Sequence, residues 1–223
     1  EFLKAAELVS IEQKLQLRNP DCRVALEDLR NDSLLSVYGF AHKGITTNDD
    51  PRFVAVFWEQ SNLLSGWEFY QSTVESHRNF GGRESIILFE KGEGRLRELS
   101  RSQERDRRRD MQGVNAWGKQ GVSVSLMSVL SSTLYSGEKF DTNVSALVPN
   151  DSAHLPAIWC FCQSPEFLES VRRIDQKLNV TNATLVKVPF DLAHWQQVAA
   201  KRYPNGLPKP CSEDPTQWLF HGH

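Results

Sequence analysis

Two short stretches concentrate the amide and hydroxyl side chains that can read a hydrogen-bond pattern. The first is Gln176 to Trp195, QKLNVTNATLVKVPFDLAHW, where Asn179, Thr181, Asn182 and Thr184 follow Lys177. An asparagine amide can pair bidentately with an adenine edge, at about 1–3 kcal/mol of discrimination, while a lysine holds a phosphate. Asparagine also caps turns, and for Asn179 and Asn182 the two roles weigh evenly. The second stretch is Lys43 to Arg52, KGITTNDDPR. Gly44 and Asn48 tolerate left-handed backbone, so this loop can fold tightly. Thr46, Thr47 and Asn48 offer short polar groups between the cations Lys43 and Arg52. Spacing alone favours an ordinary inter-strand loop for this stretch.

The elements that must hold these loops follow from periodicity and punctuation. Phe2 to Arg18 approximates helical spacing and ends at Asn19-Pro20; a second short helix is expected from Asp21 to Leu29. Short runs rich in β-branched and aromatic residues then predict strands at Ser36–Ala41, Arg52–Trp58, Trp67–Gln71, Ser85–Phe89, Val122–Ser125, Thr133–Tyr135 and Asn143–Val148. The apolar run from Phe53 to Trp58 suggests a strand buried on both faces or a core strand. Helices are expected over Leu155–Phe161, from a Ser164 cap with Pro165 in the first turn to about Gln176, and from Asp191 to about Tyr203. Val186 to Phe190 reads as the last strand, and Pro204 to Pro215 as an extended surface segment. Many short strands with helices gathered at the N-terminal end and in the C-terminal third predict an α+β fold on a mixed or antiparallel twisted sheet.

Catalytic signatures are missing. Phe80-Gly81-Gly82-Arg83 reads as a turn, and Lys91-Gly92-Glu93-Gly94 as a hairpin or loop. Neither has dinucleotide-binding spacing. No P-loop, zinc-protease helix or nucleophile elbow occurs. His221 and His223 could chelate a metal, but a solvated tail accounts for them better. No catalytic or metal-binding residue is therefore assigned.

The totals bound the rest. A chain of 223 residues with 39% apolar and 24% charged residues can bury one full core. Net charge −2 means that any nucleic-acid binding must come from a local basic patch. No apolar run reaches membrane-spanning length and no signal-peptide pattern is present, which points to a cytoplasmic protein that engages no membrane. Cys160 and Cys162 flank Phe161 in an apolar segment and read as reduced, packed thiols, with Cys22 and Cys211 also free. The start at Glu1 suits a piece cut from something longer.

Further cations could track a phosphate backbone. Arg95 to Asp110 holds seven arginines and four acids, though a solvated excursion is the better reading of such a block. Arg78 and Arg83 beside Gly81-Gly82 are better placed, and Lys119 and Gln120 follow Trp117-Gly118.

Taken together, these motifs resemble a known family. Gly44-Ile45-Thr46-Thr47 followed by a polar turn and Arg52-Phe53 looks like the opening loop of DNA target recognition domains. These occur in type IIG restriction–modification enzymes, related phage-defence methyltransferases and type I specificity subunits. Where that family usually has glycine and then asparagine, this chain has Asn48 and Asp50. Trp67–Thr73, Phe80–Arg83, Ala116–Val122, Phe140–Asn143, Leu155–Phe167, Gln176–Trp195 and Asp214–His223 follow in the family's order. The resemblance implies a helical leader (1–30), a recognition domain (31–203) and a tail (204–223). It implies double-stranded DNA and a catalytic domain in cis as partners. S-adenosylmethionine would be bound by that missing catalytic domain, with no cofactor in this segment, and the parent would be an adenine-N6 methyltransferase, with or without a nuclease. Phosphate contacts are then expected from Lys43, Arg52, Arg78, Arg83, Lys119 and Lys177. Base reading is expected from Thr46, Thr47, Asn48, Gln120, Asn179, Thr181 and Asn182. The competing reading is a protein-interaction or scaffold module with no nucleic-acid role.

Overall fold

A computed structural model describes residues 12–16, 33–60, 66–102 and 109–210. The second expected helix, Cys22, Cys211, the 103–108 part of the arginine run and the tail beyond 210 lie outside the described residues. So does most of the first expected helix, of which α1 (Gln13–Gln16) is described.

In chain order follow β1 (Gly39–Lys43), α2 (Asp50–Phe53), β2 (Val54–Val56), β3 (Trp67–Gln71), β4 (Ser85–Leu88) and α3 (Arg95–Ser102). Next come β5 (Gly121–Ser125), β6 (Ser132–Tyr135), β7 (Lys139–Phe140) and β8 (Val144–Pro149). Four helices complete the order: α4 (Leu155–Cys162), α5 (Pro165–Ile174), α6 (Asn182–Leu185) and α7 (Leu192–Arg202). The class is α+β, as expected, but the strands divide into two sheets. The first runs β1-β8-β5-β6 and is antiparallel throughout; the second runs β2-β4-β3-β7, with β3 and β7 parallel.

Period-2 alternation gives the first sheet two buried faces. Val122, Val124, Leu134 and Leu147 face a helical cluster with Ile158, Trp159, Phe161, Phe167, Val188 and Trp195. Tyr135, Val144, Ala146 and Val148 face the other way, where Phe140 of β7 and Ala116 cover them. α4 is apolar around its whole girth because it lies inside this helical layer. Its Trp159 Nε1 donates to the Tyr203 hydroxyl at 2.9 Å. Ser164 caps α5 by accepting the Phe167 N–H at 3.2 Å, and Asp191 caps α7 by accepting the His194 N–H at 3.0 Å. Gln71 ties the sheets together from a fully buried position. Its amide donates to the carbonyls of Gly81 (3.1 Å) and Leu134 (3.5 Å), and its oxygen accepts from Ser123.

Three expected strands are different. Arg52–Trp58 is a helical turn, a three-residue strand and a 3-10 turn, and Trp58 is 62% exposed rather than buried. Pro51 falls in the first turn of α2, where its missing N–H costs nothing, so helix begins where the apolar run suggested strand. Val186–Phe190 forms no strand. Pro189 cannot donate to a ladder, and pairing stops at a single bridge to Leu34. Its apolar residues are nevertheless core, and Val188 and Val186 accept the N–H groups of Leu35 and Ser36. Ser36–Ala41 begins as a 3-10 turn, and its strand starts only at Gly39. Cys160 and Cys162 are free and buried in α4, and burial pushes both thiols above their ordinary pKa.

Candidate nucleic-acid interface

The pairing of the first sheet sets which loops share an end. β1 and β5 finish where β8 and β6 begin, so one end carries the 44–49 loop, the 141–143 turn and the 126–131 turn. The 176–181 segment lies across the same end as a strap. Val180 N–H donates to Leu126 O at 3.0 Å, Asn179 bridges Met127, and Leu126 N–H donates to Asn143 O at 2.9 Å. Asn182 Nδ2 donates to Ala41 O at 3.0 Å, fastening the base of the strap directly to β1. The two polar stretches, far apart in sequence, therefore lie at the same end of the first sheet, the second bonded to β1 itself rather than to the 44–49 loop.

In the first loop, Gly44 is fixed by close approach. A Cβ there would lie 2.0 Å from Asp141 O, while its φ is not left-handed. Ile45 N–H donates to Phe140 O at 2.8 Å, holding the loop against β7. Thr46 Oγ1 bonds Gln112 Oε1 (3.1 Å) and Thr142 Oγ1 (3.0 Å). Thr47 is only 3% exposed, and its hydroxyl bonds the Asp50 carboxylate and the Asp49 N–H. It therefore shapes the turn and leaves the surface to Asn48, which is exposed with φ 60°. Lys43 and Arg52 are exposed, and the Arg52 guanidinium lies 5.0 Å from the Phe53 ring centre. Asp141 stands beneath the loop. Burial raises its pKa, and nearby Asp50 adds to the rise; N–H and hydroxyl bonds from Asn143 and Tyr70 oppose it.

In the strap, Lys177, Asn179 and Thr181 are exposed, and Thr181 and Thr184 share a 2.8 Å hydroxyl bond. Arg172, in the last turn of α5, holds the strap down. Its guanidinium donates to the carbonyls of Ser128, Lys177 and Leu178, the last at 3.5 Å. Asp175 accepts the Lys177 N–H at 3.1 Å. Sequence reasoning missed Arg172, although a basic residue in a helix's last turn is a recognised partner for nearby carbonyls.

The remaining expected residues divide. Arg78 is exposed where residues 78–79 run alongside β6, its N–H bonded to Ser132 O at 3.2 Å. That is the same end of the sheet; β1 and β6 are three strand spacings apart, about 14 Å, near the ~12 Å of a major groove. Arg83 is 3% exposed and paired with Glu138 at 2.9 Å, so it does not reach the surface. Lys119 and Gln120 are exposed but precede β5, at the opposite end of the sheet. In the arginine run, Arg97 is buried against Asp110 at 3.2 Å, and Arg101 pairs with Glu93 at 3.5 Å.

The glycines of 91–94 link a strand to a helix rather than forming a hairpin. Glu90 fills that helix N-terminus itself, accepting the Arg95 N–H at 2.8 Å, and β4 before it is antiparallel to both neighbours. Among the described residues no group of three or more His, Cys, Asp or Glu could hold a metal, and no helix is long and apolar enough to cross a membrane. No protein-family model matches the chain, and no curated protein sequence matches it.

Proposed function

We propose that this chain is the double-stranded DNA recognition module of an S-adenosylmethionine-dependent adenine-N6 methyltransferase, with the methyl-donor site and transfer chemistry in a catalytic domain in cis. The observation that carries the reading is the convergence of the two polar stretches on one sheet end, fastened by the bond from Asn182 to Ala41. Of the expected residues, Lys43, Arg52, Arg78 and Lys177 are exposed cations there, and Asn48, Asn179 and Thr181 exposed reading groups. Thr46, Thr47 and Asn182 support them. Arg83 is withdrawn from the phosphate set by its burial, and Lys119 and Gln120 by their position.

Duplex binding followed by fluorescence anisotropy across a salt series tests this. Two full phosphate contacts, at Lys177 and Arg78, with weaker ones at Lys43 and Arg52, place the log–log slope between about −1.8 and −3.6. Lys177→Ala should weaken all sequences alike and lower the slope by about one unit. A protein-interaction module is the competing reading, favoured by net charge −2 and by exposed Val37 and Phe40 at edge strand β1. It predicts no salt-dependent duplex binding at all.

A further inference from the structure

The turn between β5 and β6 and the strap beside it carry three large apolar side chains in solvent: Met127 at 43%, Val129 at 51% and Leu178 at 67% exposure. Single exposed apolar residues are ordinary, but several gathered on one tip mark an interaction site. This tip is also stiff. Leu130 N–H donates to Met127 O at 3.1 Å and Ser125 N–H to Ser131 O at 2.8 Å, and the Leu130 side chain is fully buried as an anchor. Ser128 and Leu130 both hold φ 54°, a left-handed conformation that costs energy for a non-glycine residue. Arg172 clamps the two segments to each other through Ser128, Lys177 and Leu178.

The surroundings select the occupant. Lys177 is exposed beside Leu178, and Arg172 and Arg173 close the helix that leads into the strap. Asp175, the acid nearest along this segment, is buried and engaged by the Lys177 N–H. Interface cores between proteins are enriched in methionine and arginine but depleted in lysine, so Lys177 is what separates the two occupants: a lysine beside an apolar point suits a base step next to a phosphate. We infer that Met127, Val129 and Leu178 form a wedge that enters a base step of duplex DNA and unstacks it, with Lys177 on the adjoining phosphate. The inference rests on the DNA-recognition reading above and adds a deformation to it.

The test uses the full chain and a mixed-sequence duplex in which 2-aminopurine replaces every adenine of one strand. Binding by the native chain should raise 2-aminopurine fluorescence, which reports unstacking. Met127→Ser/Leu178→Ser should bind about tenfold more weakly and lose the fluorescence rise, with the salt slope unchanged. Val129→Ser alone should give the same pattern in smaller measure, which keeps the test decisive if the double variant misfolds. Native binding without a fluorescence rise overturns the wedge and leaves DNA recognition standing. A double variant that binds and unstacks like the native chain also overturns it. Absence of any duplex binding overturns both readings.

Discussion

Arg172→Met should release the strap while leaving the rest of the fold in place. Methionine keeps an apolar stem of similar length and removes the guanidinium donors that reach Ser128, Lys177 and Leu178. A hydrogen bond from a charged donor contributes about 1.5–3 kcal/mol when well buried. Arg172 is half-buried, so the set together is worth about 2–3 kcal/mol. Most of that loss is local, because the core face of α5 itself, Phe167 and Val171, is untouched. The Val180 amide, bonded to Leu126 O, is the natural reporter. Native-state hydrogen exchange should show it opening roughly 30- to 150-fold more readily, with amides of β5 and β8 unchanged. Arg172→Lys should fall between, since a single ammonium cannot span the same carbonyls as a planar fork. Unchanged Val180 protection in Arg172→Met would refute the clamp. A loss spread evenly over β5 and β8 would show instead that Arg172 serves global stability.

Three other perturbations probe the supports of the same sheet end. Gly44→Ala places a Cβ 2.0 Å from the Asp141 carbonyl and should cost about 2–3 kcal/mol by urea unfolding; a neutral result would mean that the 44–49 loop can move off the 141–143 turn. Gln71→Leu leaves the Ser123 hydroxyl and the Gly81 carbonyl without their buried partner and should cost about 2–4 kcal/mol in the same assay, with stability unchanged if water replaces the amide. His42 and His77 both titrate below the ordinary 6.5, chiefly through burial, with Lys119 and Arg202 respectively adding to the fall. Their contribution to stability is therefore complete above that value and lost as pH falls through the lower folded values, so unfolding free energy should drop as pH falls below about 6.5. His77→Gln should flatten that drop, because the His77 ring nitrogen accepts the Ser132 N–H at 3.2 Å and protonation there breaks the bond.

Where local chemistry and tertiary packing agree, the sequence is a good guide. Ser164-Pro165 and Asp191 start α5 and α7 through side-chain caps that need nothing beyond their own turns. The alternating β5 and β8 runs are strands because both of their faces find cover. The misread elements are those where a proline or a single polar contact outweighs a run of apolar residues, as at Pro51 and Pro189. The candidate site was legible as two polar stretches, since their composition is local. Its joining was not, because the Asn182–Ala41 bond and the Arg172 clamp depend on which sheet end each loop reaches. Nor could sequence distinguish Arg83 from Arg78. Both flank the same glycine pair, yet Glu138 lies opposite only one of them.

The charges at this sheet end divide the labour of the proposed interface. The first loop sets Lys43 and Arg52 against Asp49, Asp50 and Asp141, so its field cannot hold a phosphate strongly. Burial and Asp50 both favour the protonated form of Asp141, which limits but does not remove that acidity. An acidic loop with an exposed left-handed Asn48 suits donors on a base edge, such as a cytosine amine. The strap is the reverse: Lys177 is exposed, and the acid nearest to it along the chain, Asp175, is buried. Phosphate affinity should therefore reside at Lys177 and Arg78, and base discrimination at Asn48 and Asn179. Replacing Asp50 with asparagine then separates the two. It should tighten binding to every sequence and steepen the salt dependence, while relaxing preference at the base pair the first loop faces. If Asp50→Asn leaves the salt slope unchanged, the first loop does not lie against the duplex, and the recognition surface shrinks to the strap and the β6 edge.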